Sequence, residues 1–214
     1  MTWPTVLAVV VGGALGAALA WAGGQVLARL RRGVALRPPA VEVAGAVVTG
    51  LGVAVTWPSP TTGLVVWAGL LAVILGAVDI VAHRLPDALT LPAVPITAIL
   101  VLGTWWVEPS SGHLPTALVM AAVVTGLFGA LALVAPRAMG RGDVKLVPSL
   151  SMLTGYLSVP AVLWWLILAF GLGALVALAG LTTRRLTLGS AIPFGPCLLA
   201  GCWLVLAFPE VLTV

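Results

Sequence analysis

The chain has 214 residues, of which 61% are hydrophobic and 7% charged. Soluble domains carry about 25% charged residues, so this composition excludes a water-facing globular surface and makes lipid the solvent. A formal net charge of +4 could suit nucleic acid in a soluble protein. Here the basic residues sit in short segments between apolar runs and read as topology signals, so membrane lipid, and no nucleic acid, is the expected partner.

A bilayer span needs about 20 mostly apolar residues. Apolar runs cover roughly 4–28, 41–57, 62–82, 88–107, 114–136, 144–157, 160–182 and 191–209. The expected fold is an all-α, polytopic transmembrane helical bundle of about eight spans. It has six or seven if the short segment 144–157 is re-entrant. The alternating pattern of a transmembrane barrel is absent. The whole chain, 1–214, reads as a single membrane-embedded domain.

The first run has no Lys or Arg before Arg29, whereas a signal peptide opens on basic residues; a retained span is expected. Gly12, Gly13, Gly16, Ala17, Ala20, Gly23 and Gly24 give it small-residue spacing that lets helices approach closely in lipid. The seventh run shares this, with Gly171, Gly173, Ala174 and Ala177. Breaker clusters such as Pro38-Pro39, Pro58-Ser59-Pro60 and Pro109-Ser110-Ser111-Gly112 separate the runs. The longest polar connection is the basic loop at about 29–40.

With eight spans the loops alternate sides. All ten basic residues, Arg29, Arg31, Arg32, Arg37, Arg84, Arg137, Arg141, Lys145, Arg184 and Arg185, then fall on one side. The positive-inside rule makes that side cytoplasmic and puts both termini outside. Cys197 and Cys202 share one apolar run. Two thiols are half of a zinc site, so they read as packing residues, and no metal or other cofactor is expected.

Of six acids, Glu108 and Glu210 fall outside. Glu42 starts the second span, where an acid suits a helix N-terminus. Asp87 follows Pro86 and precedes an apolar run, so it reads as a helix N-cap. Asp79 lies within the third span, where a carboxylate is costly and faces a cavity or partner. Arg84, five residues on, is off the i, i+4 position, and His83 and Arg84 read as interfacial residues. Asp143 follows Gly140-Arg141-Gly142. Glycine tolerates positive φ and close backbone approach, so this turn has room for another backbone, such as an extended substrate peptide.

Asp79 and Asp143 come out at the cytoplasmic ends of their spans, at similar depth. Two carboxylates in one low-dielectric site do not both ionise easily. The charged one can take a proton from water, and the protonated one can hydrogen-bond the carbonyl under attack. That is the arrangement for aspartyl proteolysis. Lys145, two residues after Asp143, would favour an ionised carboxylate or snorkel to the interface. A different class also fits intramembrane aspartates: a proton-coupled small transporter. Against it, both acids lie toward one face rather than at the midplane.

The segment Asp79-Ile-Val-Ala-His-Arg-Leu-Pro86-Asp87-Ala-Leu-Thr-Leu-Pro92 resembles the first aspartate motif of the type IV prepilin peptidases. Gly140-Arg-Gly142-Asp143-Val-Lys145-Leu146 resembles their GxGD motif, and Ile192-Pro193-Phe194-Gly195-Pro196 resembles the PFGP segment of their last span. The resemblance covers roughly 64–208. It implies an intramembrane aspartyl endopeptidase with Asp79 and Asp143 as catalytic residues. It further implies removal of a leader from prepilins or pseudopilins, whose short basic leader precedes an apolar helix, at the cytoplasmic face of the bacterial inner membrane. Pro193, Phe194, Gly195 and Pro196 would break helical hydrogen bonding near the site. Bifunctional members carry a cytoplasmic domain with paired cysteine motifs after the first span. Here the matching loop, Arg29 to Pro39, has no cysteine, which implies a peptidase without N-methyltransferase activity, zinc or a methyl-donor site. An inactive peptidase-like assembly factor is the remaining alternative.

Overall fold

The computed structural model describes residues 2–29, 39–82, 85–135, 140–184, 187 and 193–212. Among them are nine α-helices and no strand: α1 (Trp3–Arg29), α2 (Ala40–Thr56), α3 (Thr62–Ala82), α4 (Asp87–Val107), α5 (Leu114–Val134), α6 (Arg141–Leu157), α7 (Val159–Thr182), α8 (Gly195–Ala207) and the single turn α9 (Pro209–Leu212). A 3-10 turn, Pro109–Ser111, joins α4 to α5. The helices follow the apolar runs, and their starts follow proline: Pro lies in the first turn of α5, α7 and α8, where its missing N–H removes nothing.

Five helices, α1, α3, α4, α5 and α7, are long and apolar enough to cross a membrane. The others are shorter. α2 and α6 have 17 residues each and α8 has 13. At about 1.5 Å per residue, α8 covers about 20 Å of a hydrocarbon core about 30 Å thick. The expected last span began at 191; within the described residues its helix begins only at Gly195, with Pro193 and Phe194 outside it. Arg31, Arg32, Arg37, His83, Arg84, Arg137, Arg185 and Ile192 lie outside the described residues, as does most of the basic loop at 29–40, so the side assignment built on them has no structural counterpart here.

α6 is the axis of the bundle. It packs on α4, α5, α7 and α8, and its residues from Ser149 to Tyr156 are all buried. Being shielded from lipid lets it carry polar groups that a lipid-facing helix would not. Ser151 and Thr154 return their hydroxyls to the carbonyls of Val147 and Leu150, which satisfies them within the helix. At its far end Tyr156 accepts the His113 N–H at 2.8 Å, and its hydroxyl bonds Ser111 at 2.7 Å. The buried indole of Trp165 on α7 donates to the Leu198 carbonyl of α8 at 2.9 Å. α3 and α6 touch each other little; α8 packs on both and bridges them.

α1 and α2 form a hairpin against α3. The small-residue stripe of α1 does what its spacing implies. A Cβ on Gly16 would overlap Thr49 Oγ1 and stand 2.6 Å from the Gly45 carbonyl oxygen. Thr49 donates across the crossing to the Gly12 carbonyl at 3.0 Å. Glu42 lies in the first turn of α2, where the helix dipole favours it, but it makes no capping hydrogen bond.

Candidate active site

Asp79 is 5% exposed and Asp143 7% exposed, and the structure brings them together. Asp79 lies three residues before the end of α3. Asp143 lies in the first turn of α6, whose N-cap is Gly140. Asp143 is therefore not itself the cap. Its carboxylate turns back over Gly140, with Oδ2 2.8 Å from where a Cβ on that residue would stand, while its own N–H donates to the Gly140 carbonyl at 3.1 Å. The helix N-terminus favours a negative charge there.

The third component is Gly195, the first residue of α8. A Cβ on it would stand 2.7 Å from Asp79 Oδ2 and 3.4 Å from Asp143 Oδ1. The two carboxylates thus converge on one point of backbone, and only glycine leaves that point clear. Gly195 is held there from behind. The ring of Phe194 lies 5.1 Å from that of Phe170 on α7. It also covers Gly173, where a Cβ would meet the ring at 3.1 Å. Such an aromatic pair contributes about 0.5–1.5 kcal/mol beyond its burial. Pro196 follows in the first turn, so proline and glycine together start α8 at the level of the carboxylates.

The two motif glycines act differently from the expected open turn. No glycine among the described residues lies in the left-handed region, and Gly140 has φ −68°. The room at Gly140 is taken by Asp143 Oδ2, 2.8 Å from where a Cβ would stand, and that at Gly142 by Leu85, whose Cβ is 2.9 Å and backbone N 3.3 Å away. Close approach is the reason for glycine at both positions, and the group that approaches belongs to the chain itself.

Lys145 and Asp87 also change roles. Pro86 takes the N-cap position of α4, and Asp87 is its first residue, with no capping hydrogen bond. Its carboxylate meets Lys145 Nζ at 2.6 Å. Lys145 therefore spends its charge on Asp87 rather than on Asp143, because one turn of α6 beyond Gly142 it faces the start of α4. The pair is partly exposed, with side chains 33% and 60% accessible, and joins the first turns of α4 and α6.

Sequence reasoning missed Leu85, Phe170 and Gly173 as supports, and Cys197, which lies within electrostatic reach of both carboxylates. Leu85 and Phe170 carry no local signal; they matter only because of what packs on them. Both cysteines are free, consistent with packing. Among the described residues, no group of three or more His, Cys, Asp or Glu side chains could hold a metal. Chemically, the site presents two buried carboxylates that repel one another. They readily hold one proton between them, which makes one a base and the other an acid.

Comparison with known proteins places the chain in a family. Residues 64–178 match the family model described as the type IV leader peptidase family. The prepilin leader peptidase/N-methyltransferase of Pseudomonas putida is 31% identical over 190 residues, covering 83% of this chain and 60% of that protein. The chain thus spans about 60% of the relative's length. No solved structure matches.

Proposed function

Because this chain belongs to the type IV leader peptidase family, we propose that it is an intramembrane aspartyl endopeptidase that removes the leader from prepilins or pilin-like proteins. The observation that carries this reading is the convergence of Asp79 and Asp143, both buried and from different helices, on the backbone of Gly195. The charged carboxylate takes a proton from a water molecule, and the resulting hydroxide attacks the scissile carbonyl. The protonated carboxylate hydrogen-bonds the carbonyl oxygen as it gains charge. The tetrahedral intermediate then collapses, the C–N bond breaks, and the leaving amine takes a proton from the pair. The two aspartates titrate as a unit.

In this reading the site opens toward the cytoplasmic face of the inner membrane, where the basic residues gather. The substrate brings a basic leader and an apolar helix that continues into the bilayer. The loop from Arg29 to Pro39 contains no cysteine, which supports a peptidase without N-methyltransferase activity. The test is reconstitution of the chain in membranes with a candidate prepilin, followed by mass spectrometry of the product. Asp79→Asn and Asp143→Asn should each insert normally and leave the precursor uncut, at least about 10³-fold below wild type by analogy with other catalytic units. Full cleavage by either variant overturns the assignment, and a methylated product overturns the single-activity reading.

A further inference from the structure

Gly76 lies three residues before Asp79 on α3, so the two share a face, and Gly76 is deeper in the bundle by about one turn. It is buried, yet a Cβ on it would have no neighbouring atom within 4 Å among the described residues. Every other described glycine that is buried has protein within that distance. The contrast is sharpest on its own helix. Gly69, seven residues earlier and therefore on the same face, would meet Val48 at 3.0 Å and the Trp203 indole nitrogen at 3.1 Å. The face of α3 that α2 and α8 fill at Gly69 is left open at Gly76, next to the carboxylates. Protein interiors are close-packed, and an empty apolar space forfeits dispersion contacts. Burial of Gly76 also keeps lipid tails out.

We propose that the open space beside Gly76 is the subsite for the substrate side chain on the membrane side of the scissile bond, and that residue 76 sets the size it admits. The inference rests on the peptidase reading. Its direction follows from position: Asp79 is near the end of α3, so the space next to it toward the helix middle faces the part of the substrate that continues into the bilayer. The buried residues nearest it along α3, Val73, Leu75 and Val78, are all apolar, so the occupant is an apolar side chain.

The test uses the full chain in proteoliposomes and a precursor series in which the residue on either side of the cut is Gly, Ala, Leu or Phe. Adding methylenes where a pocket has no room changes kcat/KM by about 10–200-fold. Gly76→Leu should lower cleavage of precursors with Leu or Phe on the membrane side at least tenfold, and leave Gly and Ala precursors within about twofold. Gly76→Ala should lower the Phe-to-Ala ratio by about threefold, and it decides the matter if the Leu variant does not insert. Equal losses for all sizes, an unchanged ratio, or a shift that follows the leader-side residue instead overturns the subsite. If wild type cuts none of the series, the peptidase reading itself fails.

Discussion

The α1–α2 hairpin and the site at α3, α6 and α8 are both built on glycine, to opposite ends. In the hairpin, Gly16 is absent a side chain so that backbone can meet backbone: the Gly45 carbonyl and Thr49 fill its place. At the site, Gly195 is absent a side chain so that two carboxylates can stand where a methyl would. The first arrangement is packing in lipid, where close approach and hydrogen bonds hold helices together. The second adds no apolar contact and places two mutually repelling groups together in a buried setting, which is unfavourable for folding. Glycine spacing alone does not distinguish them; what occupies the vacated volume does.

The comparison is broken if substitutions in the two regions give the same kind of defect. Gly195→Ala carries the largest expected effect. Its methyl would displace Asp79 Oδ2, 2.7 Å away, and a misplacement of about 1 Å in a catalytic group can cost about 10²-fold in rate. A fall of that order in kcat, with insertion and thermal stability retained, is expected. Gly16→Ala should do the reverse. Its methyl meets a backbone carbonyl as well as Thr49, so the helices must separate, and overpacking of this kind costs about 1–3 kcal/mol. Thermal unfolding in detergent should show the loss, while turnover per folded molecule stays near wild type. A Gly16→Ala protein that is stable but slow would mean that the hairpin helps to set the site.

The smallest effect is expected at Lys145 and Asp87, where the pair links first turns rather than filling or clearing space. Partly exposed ion pairs contribute about 0.2–1 kcal/mol, so Lys145→Ala should lower activity by a few-fold at most. Exchanging the two residues, Lys145→Asp with Asp87→Lys, should recover most of that loss, and high salt should mimic the single variant. No recovery in the exchanged protein would assign Lys145 a contact with substrate instead of with α4.

Much of the fold was legible in the chain itself. A composition with 7% charge leaves no choice but lipid, and apolar runs bounded by proline and glycine clusters mark the helices to within a few residues. The two buried aspartates were legible for the same reason: a carboxylate in an apolar run is expensive enough to need a purpose. Which glycine does what was not legible. Gly142 answers to Leu85, Gly140 to Asp143, and Gly195 to both carboxylates, and none of those partners is a sequence neighbour close enough to leave a pattern, Asp143 aside. The same holds for Lys145, which sits two residues from Asp143 in the chain but pairs with Asp87 on another helix. Hydropathy and spacing act along one helix, so sequence alone determines the solvent, the spans and the expensive residues. Which space is filled and which is left open depends on how helices cross, and only the tertiary structure decided that α8 would place a bare glycine between the aspartates and that Gly76 would keep its space clear.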